Sequence, residues 1–267
     1  MIDFLTGLPL WVLGLVLNVW LIGFTLVALG ILRRWVFPRV RMSSEPALYF
    51  SIGVMQAGFM LFGLIAALTA VSVWQRYEQV SGVVSEEATA IAGLYRDFSG
   101  YPQPQRGEMQ EILRGYTRQI IEEAFPAHRD DRVILKGVEW MDRLQARLLA
   151  FEPSTESQKI VHAETLRAFN ELVQKRRQRL DAVQSGLPGV FWLMLLPGAV
   201  GCLGMALFFH VESAALQTIL LLGLAGFLAM VLFVIIALDR PFQGDLGIAP
   251  DSYILVRDHH MGKSARP

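Results

Sequence analysis

The amino-acid sequence predicts an all-α membrane protein: four transmembrane helices in two pairs, with a helical cytosolic domain inserted between the pairs. The 267 residues are 53% hydrophobic, and the mean hydropathy is +0.41. The apolar residues come in long uninterrupted blocks, whereas a soluble domain spreads them at helix or strand spacing. The stretch between the second and third blocks is charged and shows helical patterns, with no competing strand pattern.

Four segments are long and apolar enough to cross a bilayer: residues 8–32, 47–74, 189–209 and 214–238. None contains a charged residue, and each has at least 21 residues, whereas about 20 are enough to span the hydrocarbon core. The alternative, a buried helix of a soluble protein, suits apolar runs of about 10–14 residues. These segments are therefore interpreted as membrane spans.

The short link between the third and fourth spans predicts a tight antiparallel hairpin. It places the soluble segment, the N-terminus and the C-terminal tail on one side of the membrane. Seven Lys and Arg residues near the membrane lie on that side, and four lie in the first loop: Arg33, Arg34, Arg39 and Arg41. Since positive residues favour the cytoplasmic side, we expect the soluble segment and both termini in the cytoplasm, although the compact arginine cluster argues the other way.

The predicted domain organisation follows from these spans. Residues 1–74 carry the first two transmembrane helices, and residues 75–188 form the helical cytosolic domain. Residues 189–238 form the transmembrane hairpin, and residues 239–267 form a cytosolic tail.

Four helices are predicted in the cytosolic domain. The first continues the second span through about residues 77–98 and turns a stripe of apolar residues inward. The others cover about residues 106–124, 131–150 and 154–184, with Pro126 stopping the second. Thr155 and Gln158 resemble a capping box at the start of the last helix. Glu86 and Glu87 could form a paired carboxylate, but adjacent acidic residues on an amphipathic helix more often belong to its polar face, where we expect them.

The residues give little support for an enzyme, a cofactor or a metal site. The sequence contains no GxSxG, P-loop, GxGxxG, CxxC or HExxH motif. The single cysteine, Cys202, permits no disulfide framework. His259 and His260 could bind a metal, but adjacent histidines on a tail are more often solvated. A net charge of zero disfavours nucleic acid as a partner.

Charged residues are also missing from the middle of every span. Proton relays and many coupled transporters need ionisable groups there, so the pattern suits a passive pore or a structural bundle better than a pump.

Several motifs, taken together, resemble those of a known family. A W-x-x-Y-E stretch follows the second span and resembles a stretch at the same place in bestrophins, which also have a P-F-G-x-D turn after their fourth span. The turn here reads D-x-P-F-x-G-D at residues 239–245 and resembles the bacterial bestrophin-like family. An E-A motif ending in L-Y-R at residues 87–96, R-R-x-R-L at 176–180 and G-L-P at 186–188 resemble the bacterial bestrophin-like family. The residues that carry the resemblance on these stretches include Trp74, Tyr77, Glu78, Glu87, Asp239, Pro241, Phe242, Gly244, Asp245 and Asp251.

The resemblance covers about residues 70–255 and implies a function. Bestrophins are pentameric ion channels whose second span lines the pore, with three bulky apolar residues forming a neck. The corresponding positions here are Gln56, Met60 and Leu64, of which Gln56 departs from the apolar pattern. Their spacing of four puts them on one helix face. The alternative is that Met60 and Leu64 are ordinary packing residues.

The resemblance also bears on the turn after the fourth span, where eukaryotic bestrophins bind calcium with a run of acidic residues. Here Leu246, Gly247 and Ile248 replace that run, so no metal is expected. The alternative role is structural: Pro241 ends the helix, and Asp245 or Asp251 caps the next one.

Two functions remain open on the sequence. The resemblance implies an oligomeric bestrophin-like ion channel in a bacterial inner membrane, and the bestrophin assembly implies a pentamer. The lipid bilayer, further copies of the chain and inorganic ions would be its partners. The alternative is a non-conducting membrane scaffold or signalling component whose helical domain binds a partner. In a channel the face of Gln56, Met60 and Leu64 points to a symmetry axis, whereas in a scaffold it packs against another span.

Overall fold

The computed structural model describes residues 9–36, 45–208 and 213–262, and all regular structure in these ranges is helical. The helices are α1 (Leu10–Ile31), α2 (Glu45–Asp97), α3 (Gln105–Gln119), α4 (Phe125–Arg129), α5 (Gly137–Leu149), α6 (Glu156–Val183), α7 (Gly189–Leu207), α8 (Ala214–Asp239) and α9 (Asp251–Val256). π-Helical turns extend three of them: Leu32–Val36 after α1, Ile120–Ala124 after α3 and Arg257–Met261 after α9.

Helices α1, α2, α7 and α8 are long and apolar enough to cross a membrane. This result confirms the predicted class, an all-α membrane protein with four spans. Helix α2 also continues without a break from the second span to Asp97, as the sequence predicted. Arg39 and Arg41 of the first loop lie outside the described residues, as do residues 209–212 at the hairpin link and the two ends of the chain.

The chain divides into two compact units. The first comprises the described parts of residues 1–75 and 186–239, and the second those of residues 76–185 and 240–267. In the first unit the most extensive helix packing joins α1 to α8. Arg33 fastens the same two helices, because its Nη2 donates to the Ala214 carbonyl at 3.0 Å and to Gln217 Oε1 at 2.9 Å.

A glycine allows α2 and α7 to approach each other in the first unit. A Cβ atom at Gly198 would lie 2.7 Å from Cδ2 of Phe62, inside contact distance. Small residues commonly permit such close approach between membrane helices. The aromatic ring of Phe62 therefore occupies the space that any larger residue at position 198 would need.

The second unit has its own apolar core, built around the second half of α2. Val80, Val84, Ala88, Ile91 and Tyr95 are buried, which confirms the inward stripe predicted for this helix. Helices α3, α5, α6 and α9 contribute further buried apolar residues to the same core.

The predicted helix boundaries are wrong in two places. Pro126 does not stop the second helix of this unit but lies in the first turn of α4, where a missing N–H group costs no hydrogen bond. The next helix begins at Gly137 rather than near residue 131. Asp131 has a φ of 58°, a left-handed conformation that an α-helix does not accept.

The predicted start of α6 is confirmed. Thr155 is the N-cap residue, and its Oγ1 accepts a hydrogen bond from the backbone N–H of Gln158 at 3.2 Å. Gln158 returns the contact one residue earlier than a standard capping box, since its Oε1 accepts from the N–H of Ser154 at 2.9 Å.

Candidate functional site

The candidate pore face lies on the membrane half of α2, within the first unit. Gln56, Met60 and Leu64 are all exposed in the single chain. Met60 is 76% exposed and Leu64 is 56% exposed. Successive residues four apart lie one above the other on a helix, so the three side chains form one exposed stripe. Side chains this exposed do not pack between the spans of a single chain.

The opposite face of α2 carries the packing instead. Ala66, Thr69 and Val73 are buried, and the Thr69 hydroxyl donates to the carbonyl of Ile65 at 2.8 Å. Even so, only 11% of the most apolar 18-residue stretch of α2 is buried, against 39% of the corresponding stretch of α8. Of the four spans, α2 is therefore the one that the rest of the chain covers least.

Two of the motif residues that follow the second span are exposed, and one is anchored. Trp74 is 51% exposed and Glu78 is also exposed. The hydroxyl of Tyr77 donates to the carbonyl of Leu246 at 3.0 Å. Within the second unit, this bond joins the W-x-x-Y-E stretch to the turn that follows α8.

That turn is held by its backbone and by apolar side chains. Pro241 and Phe242 are buried, and the N–H of Ile248 donates to the Pro241 carbonyl at 2.8 Å. Gly244 has a φ of 68°, a conformation that favours glycine. A Cβ atom at Gly247 would lie 2.6 Å from the carbonyl oxygen of Phe242.

The acidic residues near the turn have different surroundings. Asp239 ends α8, is buried, and accepts a hydrogen bond at Oδ1 from the N–H of Leu187 at 2.6 Å. Asp245 and Asp251 are exposed. Within the described ranges no three His, Cys, Asp or Glu residues are grouped so that they could hold a metal ion. These residues do not fit a calcium site, which takes six to eight oxygen ligands.

The capping role expected for Asp245 or Asp251 is wrong. Helix α9 begins at Asp251 itself, its N-cap residue is Pro250, and no side-chain hydrogen bond caps it. Asp251 instead places a negative charge in the first turn, where the helix dipole favours it.

Glu87, the motif residue on the second half of α2, lies at the centre of a buried polar network. It is fully buried, and its carboxylate accepts from four donors on three other helices. Tyr116 Oη donates to Oε1 at 2.7 Å, and Tyr253 Oη donates to Oε2 at 2.9 Å. Arg179 donates from Nε to Oε2 at 2.6 Å and from Nη2 to Oε1 at 3.4 Å. Each of the two carboxylate oxygens thus accepts two hydrogen bonds.

His128 completes the network and is held as a neutral ring. Its Nε2 lies 2.6 Å from Nη1 of Arg179, and its Nδ1 lies 3.2 Å from the carbonyl oxygen of Arg132. A guanidinium can only donate and a carbonyl can only accept. The ring must therefore carry its proton on Nδ1 and accept at Nε2.

The electrostatics agree with this assignment. Burial, and then the charge of Arg179, lower the pKa of His128 from 6.5 to about 4. Burial opposes the charge of Arg179, but Glu87 more than compensates and raises the pKa of that guanidinium. Burial and the Glu87 carboxylate raise the pKa of Tyr116 and Tyr253 well above 10, so both hydroxyls stay protonated and donate.

The expected position of Glu87 on a polar face is wrong, because its side chain is buried. Only Glu86 is exposed, where it pairs with Lys175 Nζ at 2.5 Å. A signal was present: Glu87 lies three residues after Val84 and four before Ile91, inside the apolar stripe. A carboxylate at such a position predicts a buried partner, and Arg179 of the R-R-x-R-L stretch is that partner.

We predict that Arg179→Met destabilises the protein strongly, since it leaves the Glu87 carboxylate buried without a countercharge. The expected cost is about 3–5 kcal/mol, visible as a lower thermal unfolding midpoint in detergent. The double variant Glu87→Gln with Arg179→Met should recover much of the loss, because no uncompensated charge remains.

The matched control for this experiment is Lys175→Met, which breaks the exposed pair with Glu86 between the same two helices. Its cost should not exceed about 1 kcal/mol. Equal effects of Arg179→Met and Lys175→Met would contradict the central role assigned to the buried pair.

We also predict that stability falls with acid through His128. Its pKa is about 4 in the folded chain and about 6.5 in an unfolded one. The unfolded state therefore binds the proton more readily, so stability is full above about pH 6.5 and is lost as the pH falls towards 4. The loss approaches about 3 kcal/mol. Unfolding midpoints measured between pH 7 and pH 4.5 would show it.

His128→Gln is the control for this acid dependence. A glutamine amide can accept from Arg179 and donate to the Arg132 carbonyl, but it does not titrate in this range. Its unfolding midpoint should therefore fall less steeply with acid than that of the wild type. Parallel slopes for the two proteins would rule out His128 as the source.

Comparison with known proteins assigns a family to this fold. The sequence profile of the Bestrophin-like domain matches residues 11–253, and no curated protein matches the sequence. A crystal structure of a membrane protein with a proline-to-alanine substitution has a similar fold, at a TM-score of 0.72 and 6% identity. That alignment covers 95% of this chain and 99% of the other, and at such low identity it shows the fold alone. Since the profile matches nearly the whole chain, the protein belongs to the bestrophin-like family.

Proposed function

We propose that this chain is the protomer of an oligomeric ion channel whose pore is lined by α2. The observation that carries the proposal is the exposed stripe of Gln56, Met60 and Leu64 on the least covered span. A closed ring of copies could place one such helix per protomer around a symmetry axis. Membership of the bestrophin-like family supports the same function, and the resemblance to bestrophins favours five protomers.

The polar member of the stripe favours water over lipid. Gln56 exposes an amide on a membrane span, and an amide without a hydrogen-bond partner is costly in hydrocarbon. By contrast, the large exposed residues of α8 are all apolar, as a lipid-facing helix requires: Leu216, Ile219, Leu220, Phe227, Met230 and Val234. A water-filled pore along the symmetry axis accounts for the exposed amide on α2. Contact with lipid accounts for the apolar surface of α8.

The apolar members of the stripe would form the constriction. In a symmetric ring, Met60 and Leu64 each supply one bulky apolar side chain per protomer, one helical turn apart. Hydrophobic constrictions of this kind gate by dewetting. The charge count near the membrane favours an orientation in which the second unit faces the cytoplasm of a bacterial cell, at the inner membrane.

A non-conducting scaffold is the second candidate. Leu135, Leu149 and Ile160 are each about two-thirds exposed in the second unit. Exposed apolar side chains outside the membrane can contact a partner protein. This candidate needs no ring of copies, which makes the assembly state the first property to determine.

The mass of the detergent-solubilised particle tests the assembly. The protomer mass is 29.9 kDa. A homogeneous ring, expected at about five protomer masses by native mass spectrometry, would support the channel. A monomer or dimer would leave no axis for α2 to line and would favour the scaffold.

We predict that Met60→Ala raises single-channel conductance in planar bilayers, because it removes bulk from the constriction. The matched control is Met230→Ala, which truncates a methionine of similar exposure, 65%, on α8. That variant should conduct like the wild type. Equal currents from all three proteins would exclude Met60 from the neck, and an absence of current from a correctly assembled wild type would count against the channel itself.

A further inference from the structure

Arg76 is the first residue of the second unit and lies two residues beyond Trp74, where the apolar block of the second span ends. Its side chain is half-buried. The Nη1 atom is inaccessible, and no described residue accepts a hydrogen bond from it. A guanidinium stays charged at any ordinary pH, and a buried donor without an acceptor is destabilising by about 1–3 kcal/mol or more. Among the described residues, therefore, the Arg76 guanidinium is not fully hydrogen-bonded.

A polar cleft adjoins this side chain. It has a volume of about 660 Å³ and lies between the second half of α2 and the end of α6. Besides Arg76, its lining includes Gln79, Gln178 and Ser185. The Ser185 hydroxyl already donates to the Ala182 carbonyl at 2.7 Å, so two amides beside a guanidinium form the set of donors suited to an oxyanion.

The acidic residues of the cleft do not neutralise Arg76. Glu86 pairs with Lys175 at 2.5 Å. Asp181 also lines the cleft, but no ion pair joins it to Arg76 in the described part of the chain. An anion in the cleft would be repelled by Asp181, so its charge must be met at Arg76 and at Gln79, one turn further along α2.

The position of Arg76 along the chain favours a membrane ligand. Aromatic and basic residues just beyond an apolar span lie at the level of the lipid headgroups. Phosphate is the anion found there, and the planar fork of arginine can bind two of its oxygens at once.

We propose that Arg76 and this cleft bind a phosphate group, supplied by the headgroup of an anionic phospholipid or by free inorganic phosphate. The site is separate from the pore face and does not depend on whether the protein conducts. The phospholipid is the favoured source, because Arg76 directly follows a membrane span.

The test counts phosphatidylglycerol molecules that remain on the delipidated full-length protein during titration, by native mass spectrometry. Arg76→Gln should weaken retention about tenfold or more, the loss of one charged hydrogen-bonding group. Arg96→Gln is the matched control, since Arg96 is exposed on the same helix, 20 residues away. It should retain lipid as the wild type does.

Gln79→Glu provides a second variant that keeps Arg76 in place. A carboxylate three residues along the helix can pair with Arg76, and it should displace the ligand without leaving a buried cation unpaired. We expect Gln79→Glu to retain less lipid than the wild type and to keep its thermal unfolding midpoint. That result would support the site even if Arg76→Gln folds poorly.

The source of the phosphate is decided by a second arm with inorganic phosphate. Stabilisation of the wild type, but not of Arg76→Gln, by inorganic phosphate with no retained lipid would support the site and assign it to the free anion. Equal retention of lipid and equal response to phosphate in wild type and both variants would overturn the proposal. So would a change of particle mass in Arg76→Gln with lipid retention intact, because Arg76 would then contact a neighbouring copy.

Discussion

The second unit depends on one buried ion pair, Glu87 with Arg179. Two charges removed from water are stable only when geometry and hydrogen bonding compensate for their lost hydration. Here the carboxylate receives donors from Arg179, Tyr116 and Tyr253, and the guanidinium reaches His128 as well. These residues belong to five different helices, so the pair fixes how α2, α3, α4, α6 and α9 meet. The ring of Phe125 packs beside Tyr253 of the network, with the two ring centroids 5.6 Å apart.

Helix α2 has two different surroundings along its length, and the sequence records both. From residue 80 onwards it turns Val80, Val84 and Ile91 into a core of its own unit. In the membrane half it buries small residues such as Ala66 and exposes bulky ones such as Met60. Burying small residues and exposing large ones reverses the arrangement of a soluble core, in which large apolar side chains gain most from burial. It suits a span whose exposed face meets other chains or lipid.

The sequence predicted the features that depend on the length of an apolar segment or on the spacing of its residues. It did not predict features that depend on contacts with residues far away in the chain. Uninterrupted apolar length identified four spans, and a spacing of three to four identified the buried stripe of α2. The cap at Thr155 followed from local chemistry. The burial of Glu87 was missed because its partner lies 92 residues away. The boundary near Asp131 was missed because apolar periodicity does not register a single left-handed residue. For the candidate pore face, the family resemblance supplied the positions of Gln56, Met60 and Leu64, but their exposure is visible only in the packed helices.

The turn after α8 shows why a shared motif need not carry a shared ligand. A cluster of carboxylates repels itself, and a bound cation can hold such a loop in shape. In this turn the same task falls to buried side chains and backbone bonds: Phe242 packs 5.4 Å from the His128 ring, and Tyr77 donates to the Leu246 carbonyl. Two glycines allow the backbone conformation of the turn. Gly244 has a positive φ, and Gly247 lies close to the carbonyl oxygen of Phe242. Phe242 thereby ties the turn to the His128 ring, which lies beside Arg179, so the buried ion pair also supports the turn.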